Sequence, residues 1–268
     1  MRPQPLLALP LLGAALVGLL STVAGGPRLW LATAIAAQAL AAGGCLAAAA
    51  ALGRRDFMFK AWALYALSHA LPAARRLVLG TGFWWQDERP LAAVLDAAYI
   101  LVVNGARVAG SLLFVMALAR AGLGAAAAAR SRGGGILVTL GGLGLGVLTL
   151  LAYVQSALAA GTPRGAFWGG VAIAADTACF LLVVPLARIA GAFRGGVLEA
   201  PWAFLAAANL GWLVYDASRT AARLAGWGDG ARGASEAVLA AACLCALAAG
   251  LAHRAAVAHA KASAAVLA

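Results

Sequence analysis

Residues 135–158 read GILVTLGGLGLGVLTLLAYVQSAL, twenty-four positions without a charge. A helix rising 1.5 Å per residue needs about 20 such positions to cross a hydrocarbon layer of about 30 Å. The run is continuously apolar, whereas a transmembrane strand would alternate, so it reads as a membrane-spanning helix. Working outward, comparable runs fall at 5–24, 30–52, 58–80, 91–119, 166–188, 201–224 and 235–258. The expected fold class is therefore all-α, a polytopic membrane helical bundle of about eight transmembrane helices. Short polar or Gly/Pro punctuation separates the runs, as at Gly25-Gly26-Pro27-Arg28, Arg54-Arg55-Asp56 and Thr162-Pro163-Arg164, and leaves no room for a soluble domain between them.

Composition agrees. Hydrophobic residues make up 64% of the 268 positions and charged residues 11%, with a mean hydropathy of +0.92. A soluble domain is about half apolar and about a quarter charged. The net charge of +11 fits attraction to anionic lipid, and no nucleic-acid-binding pattern accompanies it, so the expected partners are the bilayer and not DNA or RNA. Cys45, Cys179, Cys243 and Cys245 all lie inside apolar runs without a C-x-x-C pair and read as small buried hydrophobes rather than a disulfide or metal framework.

An internal repeat organises the chain. Ala24-Gly25-Gly26-Pro27-Arg28, Trp30 and Ala34-Ile35-Ala36-Ala37-Gln38 parallel Ala160-Gly161-Thr162-Pro163-Arg164, Trp168 and Ala172-Ile173-Ala174-Ala175-Asp176. Later, Ala61-Trp62-Ala63 parallels Pro201-Trp202-Ala203. The expected division is a first four-helix repeat at 1–119, a cytoplasmic linker at 120–134 and a second four-helix repeat at 135–268, a 4+4 tandem duplication. Four spans per unit is an even number, so both halves enter the membrane the same way. The first span also carries a signal-peptide pattern, Arg2 followed by an apolar run and Thr22-Val23-Ala24, and cleavage there would leave seven helices. Its counterpart in the second half favours retention.

Basic residues set the expected orientation. The N-terminus, the even-numbered loops and the C-terminus hold eleven: Arg2, Arg54, Arg55, Lys60, Arg120, Arg130, Arg132, Arg188, Arg194, Arg254 and Lys261. The opposite side holds eight: Arg28, Arg75, Arg76, Arg89, Arg164, Arg219, Arg223 and Arg232. The bias places both termini in the cytoplasm of a plasma (inner) membrane.

Polar groups within spans are costly and so mark candidate sites. The ligand or polar-core candidates are His69, Asn209, Arg107, Asp176, Asp216 and Arg219, with no catalytic set and no metal set among them. Arg107 and Asp176 are the deepest charges. Asp96 lies eleven residues from Arg107, about 16 Å along one helix, so Asp176 on another helix is the expected partner. Such a pair serves either packing or a substrate or proton site. Pro72 frees the Ser68 carbonyl, which makes Ser68-His69-Pro72 a kinked polar spot, and His69 is expected to hydrogen-bond that freed backbone. Asn209 stands at the matching place in span 7, and Asp216 and Arg219 are spaced to pair along the same helix. Gly142 and Gly146, a G-x-x-x-G, read as a close-packing face.

The stretch Arg55, Phe57, Trp62, Ala63, Leu64 and Leu67 resembles the multi-helix membrane input regions of bacterial GGDEF and histidine-kinase sensors over about 25 residues. The resemblance implies a sensory module. Those families carry an output domain on the same chain, whereas this sequence stops at Ala268 after its last span, so a separate membrane or signalling protein is the expected partner. Trp84, Trp85 and Asp87 are similar to the tryptophan-rich loop of haem-presenting cytochrome c assembly proteins, without the surrounding motif. Three functions follow in order: a membrane-embedded sensory, ligand-binding or scaffold module; a small-solute transporter built from two parallel repeats; and a membrane enzyme handling lipid or haem. No reaction motif is present, which weighs against an enzyme, and no residue pattern names a cofactor.

Overall fold

The structure is a computed structural model and describes residues 4–23, 26–80, 90–120, 132–226 and 229–267. The helices are α1 Gln4–Val23, α2 Pro27–Ala50, α3 Phe57–Gly80, α4 Pro90–Arg120, α5 Arg132–Ala159, α6 Pro163–Leu181, α7 Val183–Ala192, α8 Glu199–Leu224 and α9 Asp229–Leu267. There is no strand among the described residues. The signal-like Thr22-Val23-Ala24 lies only partly within them, and Trp84, Trp85, Asp87 and most of the expected linker lie outside them.

Local chemistry explains the breaks. Pro27 and Pro163 open α2 and α6 at their first position, where a missing N–H leaves no bond unmade. At the end of α5, Gly161 takes φ 69°, the Thr162 N–H reaches Ala157 O at 2.9 Å and the Gly161 N–H reaches Leu158 O at 3.0 Å. That is a Schellman close, which only a residue tolerant of positive φ completes without strain. The single run expected at 166–188 is interrupted at Leu182, whose N–H bonds back three residues to Cys179 O at 3.1 Å. Pro185 is the cause: it cannot donate to Leu181, and its ring crowds that carbonyl.

Among the described residues, five segments are long and apolar enough to cross a membrane: 28–50, 94–120, 136–159, 163–192 and 233–265. The central helices α3 and α8 are more polar, carrying Lys60, His69, Arg75 and Arg76, and Glu199, Asp216, Arg219 and Arg223. They are sheltered by position. Helix neighbours run α2–α3–α4–α6/α7–α8–α9 and back to α2, a closed ring of six. Across its centre α3 meets α8, through Tyr65 with Asn209 and His69 with Trp212. Outside the ring, α1 packs on α9 and barely touches α2, whereas α5 packs on α6 and α8.

Small residues set the closest approaches. A Cβ on Gly142 would collide with the Phe180 ring and one on Gly146 with Thr177, so the G-x-x-x-G of α5 is the face seated on α6. At the α2–α9 crossing, a Cβ on Gly250 would strike the Gly44 carbonyl, and one on Gly44 would strike the Leu247 backbone. The outward faces of α1 and α5 expose Leu11, Leu12, Leu137, Leu140 and Leu148, as a lipid-facing surface does.

Candidate functional site

Arg107 is 4% exposed and Asp176 1% exposed, and the two form an ion pair between α4 and α6, as their positions in the sequence lead one to expect. The guanidinium is held on two further sides. Its Nη2 donates to Asn104 Oδ1 at 2.9 Å one turn earlier, and its plane stands 4.7 Å from the Trp212 ring centroid. Asn104 is itself fixed by donating Nδ2 to Ile100 O at 2.8 Å. Ion pair, hydrogen bond and cation–π contact together determine where this charge sits.

Above this floor, toward the ends of α3 and α8, opens a cavity of about 600 Å³, within the usual size of small-molecule sites. Gln38, Asp176, Arg107, Trp212, Asp216 and Arg219 contribute to its wall. Around its mouth Arg75 pairs with Asp96 at 2.9 Å, and Arg76 approaches Glu236 at 3.5 Å. Arg76 Nη2 and Arg219 Nη1 both donate to the Tyr215 hydroxyl, at 3.2 and 2.9 Å. A smaller cleft of about 160 Å³ shares Ala172, Asp216 and Arg219 with the cavity and runs sideways between α5, α6 and α8 to Tyr153 and Arg223.

Below the floor the ring is filled. Trp212 contacts His69 (centroids 5.8 Å apart), His69 contacts Tyr65 (5.2 Å), Tyr65 contacts Phe114 (6.0 Å), and Phe114 lies against Trp62 and Trp202 (4.7 and 5.9 Å). His253 closes the column, accepting the Trp62 indole N–H on Nδ1 at 2.8 Å. Asn209 accepts from the Tyr65 hydroxyl at 2.8 Å and donates to Ser111 Oγ at 3.4 Å.

Of the sequence candidates, Arg107, Asp176, Asp216 and Arg219 thus share the cavity wall, whereas His69 and Asn209 lie beneath it in the packed column. Two expectations need correction. His69 does not bond the backbone freed by Pro72: it is fully buried, and neither ring nitrogen has a hydrogen-bond partner among the described residues. Arg219 bonds Tyr215, and no Asp216–Arg219 pair is among the ion pairs of the described residues, because the guanidinium turns one full turn back. His69 and His253 do not face a common space, since Tyr65, Phe114 and Trp62 stand between them, so these two cannot grip one haem from opposite sides.

Sequence reasoning missed Glu236; it set Arg76 with Arg75, Arg219 and Arg223 at the outer helix ends, where opposing the helix dipole suffices to explain them and an anionic headgroup is the alternative. Glu236 precedes the buried Leu239 by three residues and Cys243 by seven, so it shares the inward stripe of α9, and that register was the signal for it. Compared with known proteins, the chain matches no family model, no curated protein and no solved structure.

Proposed function

We propose that this chain is an eight-span membrane protein, two tandem four-helix halves with both termini cytoplasmic, that acts as a ligand-binding input module. A ligand enters the cavity from the outer face, and the packed column beneath carries its effect to a separate partner at the inner face. The observation that supports this reading best is the half-depth cavity: its floor is the Arg107–Asp176 pair, and the aromatic column closes everything below. A binding module needs an open site and a closed path, and both are features of this arrangement. The sensor-like stretch from Arg55 to Leu67 agrees with it, as does the eleven-to-eight basic bias. The repeat is supported by the ring, in which α2, α3 and α4 follow one another as α6/α7, α8 and α9 do.

A parallel-repeat transporter is the second reading, favoured by the polar pair His69 and Asn209 at matching depths of α3 and α8. Single cysteines separate the two, because the four native cysteines are buried and give little background. Ala172→Cys should react with a membrane-impermeant thiol reagent from outside, and Ser111→Cys should react from neither side. Inside labelling of Ser111→Cys, with or without added solute, would favour transport. An unreactive Ala172→Cys would remove the binding site.

A further inference from the structure

We infer that Arg76, Arg219 and Tyr215 form a phosphate-binding site at the cavity mouth, with its lateral cleft open to a lipid. This inference rests on the cavity being accessible and specifies what enters it.

Two guanidinium groups, from α3 and α8, point at one neutral phenol oxygen, 3.2 and 2.9 Å away. Like charges brought that close repel one another, the more so away from bulk water. Compensation is incomplete. Arg76 has Glu236 at 3.5 Å, longer than the 2.7–2.9 Å or so of a strong charge-assisted bond, and Arg219 has no carboxylate within ion-pair distance among the described residues. The Tyr215 oxygen accepts twice, and its own proton has no acceptor among the described residues. Three donors therefore converge at the cavity mouth, and Glu236 is the one carboxylate paired with any of them among the described residues. A phosphate ester offers several terminal oxygens for them, whereas a carboxylate offers two.

The other arginines at the site are committed: Arg107 to Asp176 and Arg75 to Asp96. That leaves Arg219 as the cation at the junction of cavity and cleft. The cleft leads past Tyr153, on the lipid-exposed helix α5, to Arg223, whose guanidinium lies 6.0 Å from the Tyr153 ring centroid. A headgroup seated on Arg76, Arg219 and Tyr215 could direct its acyl chains along the Gly169, Ala172 and Ile173 side of this cleft toward α5, with Thr220 and Arg223 on the opposite side. Such a path has no use for a free phosphate, and so the cleft favours the lipid source.

The test uses the full chain in neutral detergent and native mass spectrometry with three probes: phosphatidylglycerol, phosphatidylcholine of the same acyl chains, and glycerol 3-phosphate. We expect one tightly retained phosphatidylglycerol, at least tenfold weaker retention in Arg219→Gln and Arg76→Gln, and a several-fold loss in Tyr215→Phe. Arg28→Gln, an exposed arginine at the same end of the bundle, is the control and should bind as the parent does. Size-exclusion profiles and near-ultraviolet circular dichroism confirm that each variant is folded. Glycerol 3-phosphate binding as tightly as the lipid, and lost in the same variants, would keep the phosphate site and overturn its lipid source. Retention unchanged in all three variants, or lost equally in Arg28→Gln, would overturn the site. Failure of the underlying reading is distinguishable: Ala172→Cys would then stay unlabelled, whereas a labelled Ala172→Cys with no phosphate-dependent binding sinks this inference alone.

Discussion

Removing the guanidinium of Arg107 would strand Asp176, 1% exposed, without its counter-charge. Breaking a buried pair from one side costs about 3–5 kcal/mol, while removing both partners is often near neutral. Arg107→Ala should therefore cut the yield of monodisperse detergent-purified protein severely, and Arg107→Ala with Asp176→Ala should recover part of it. Equal losses in the single and double variants would show that the pair does not hold α4 to α6. His69 predicts the opposite sign. With neither ring nitrogen partnered among the described residues, the imidazole is a polar group whose burial costs about 1–3 kcal/mol, so His69→Leu should unfold at the same temperature as the parent or higher. A fall of several degrees in a scanning-fluorimetry midpoint would mean that the imidazole has a partner. The Arg107–Asp176 pair was legible in the sequence because only one carboxylate lay deep on another helix. The Arg76–Tyr215–Arg219 convergence was not, since it depends on where α3 and α8 face one another, and nothing in either helix alone records that.

Among the elements, helix existence was readable from apolar runs, and most ends fall within a few residues of where hydropathy changes. The exception is α9, which continues to Leu267, well past the expected end at 258. Residues 258–265 there are exposed, and Lys261 Nζ donates to the Ala51 carbonyl at the end of α2 at 2.8 Å, placing a cation against the negative end of that helix. Ala, Lys and Ser favour helix without needing lipid, so an apolar scan stops before the helix does. At 39 residues and 1.5 Å each, α9 is about 58 Å long and outreaches a hydrocarbon layer of about 30 Å. Adjacent glycines of α2 give a controlled test of its packing. Gly44→Ala would place a methyl group against the Leu247 backbone, whereas Gly43→Ala meets open space. The first should cost about 1–3 kcal/mol and the second should not destabilise the helix, since alanine is the better helix former. Equal thermal midpoints for the two variants would remove the close α2–α9 contact.

For the whole molecule, topology is the decisive measurement. With termini and even-numbered loops inside, a reporter active only in the cytoplasm should be active when fused at Arg54 or after Ala268, and an exported reporter should be active when fused in the loop at 160–162. An exported signal from the C-terminal fusion would invert the assignment and with it the face on which the cavity opens. The order of helices around the ring could not be derived from hydropathy, which is blind to neighbours, although the paired motifs around Pro27 and Pro163 hinted at it. Nor did they foretell that α1 would lie on α9 and barely touch α2.

Two joints of the ring, α2 with α9 and α4 with α6, are fastened differently. At the first, glycine lets backbone rest on backbone, a weld that no solute can compete for. At the second, two opposite charges meet at the cavity floor, a latch whose key is any ion that offers either partner a better match. A ligand that opened the charged joint would therefore swing the bundle about the glycine one.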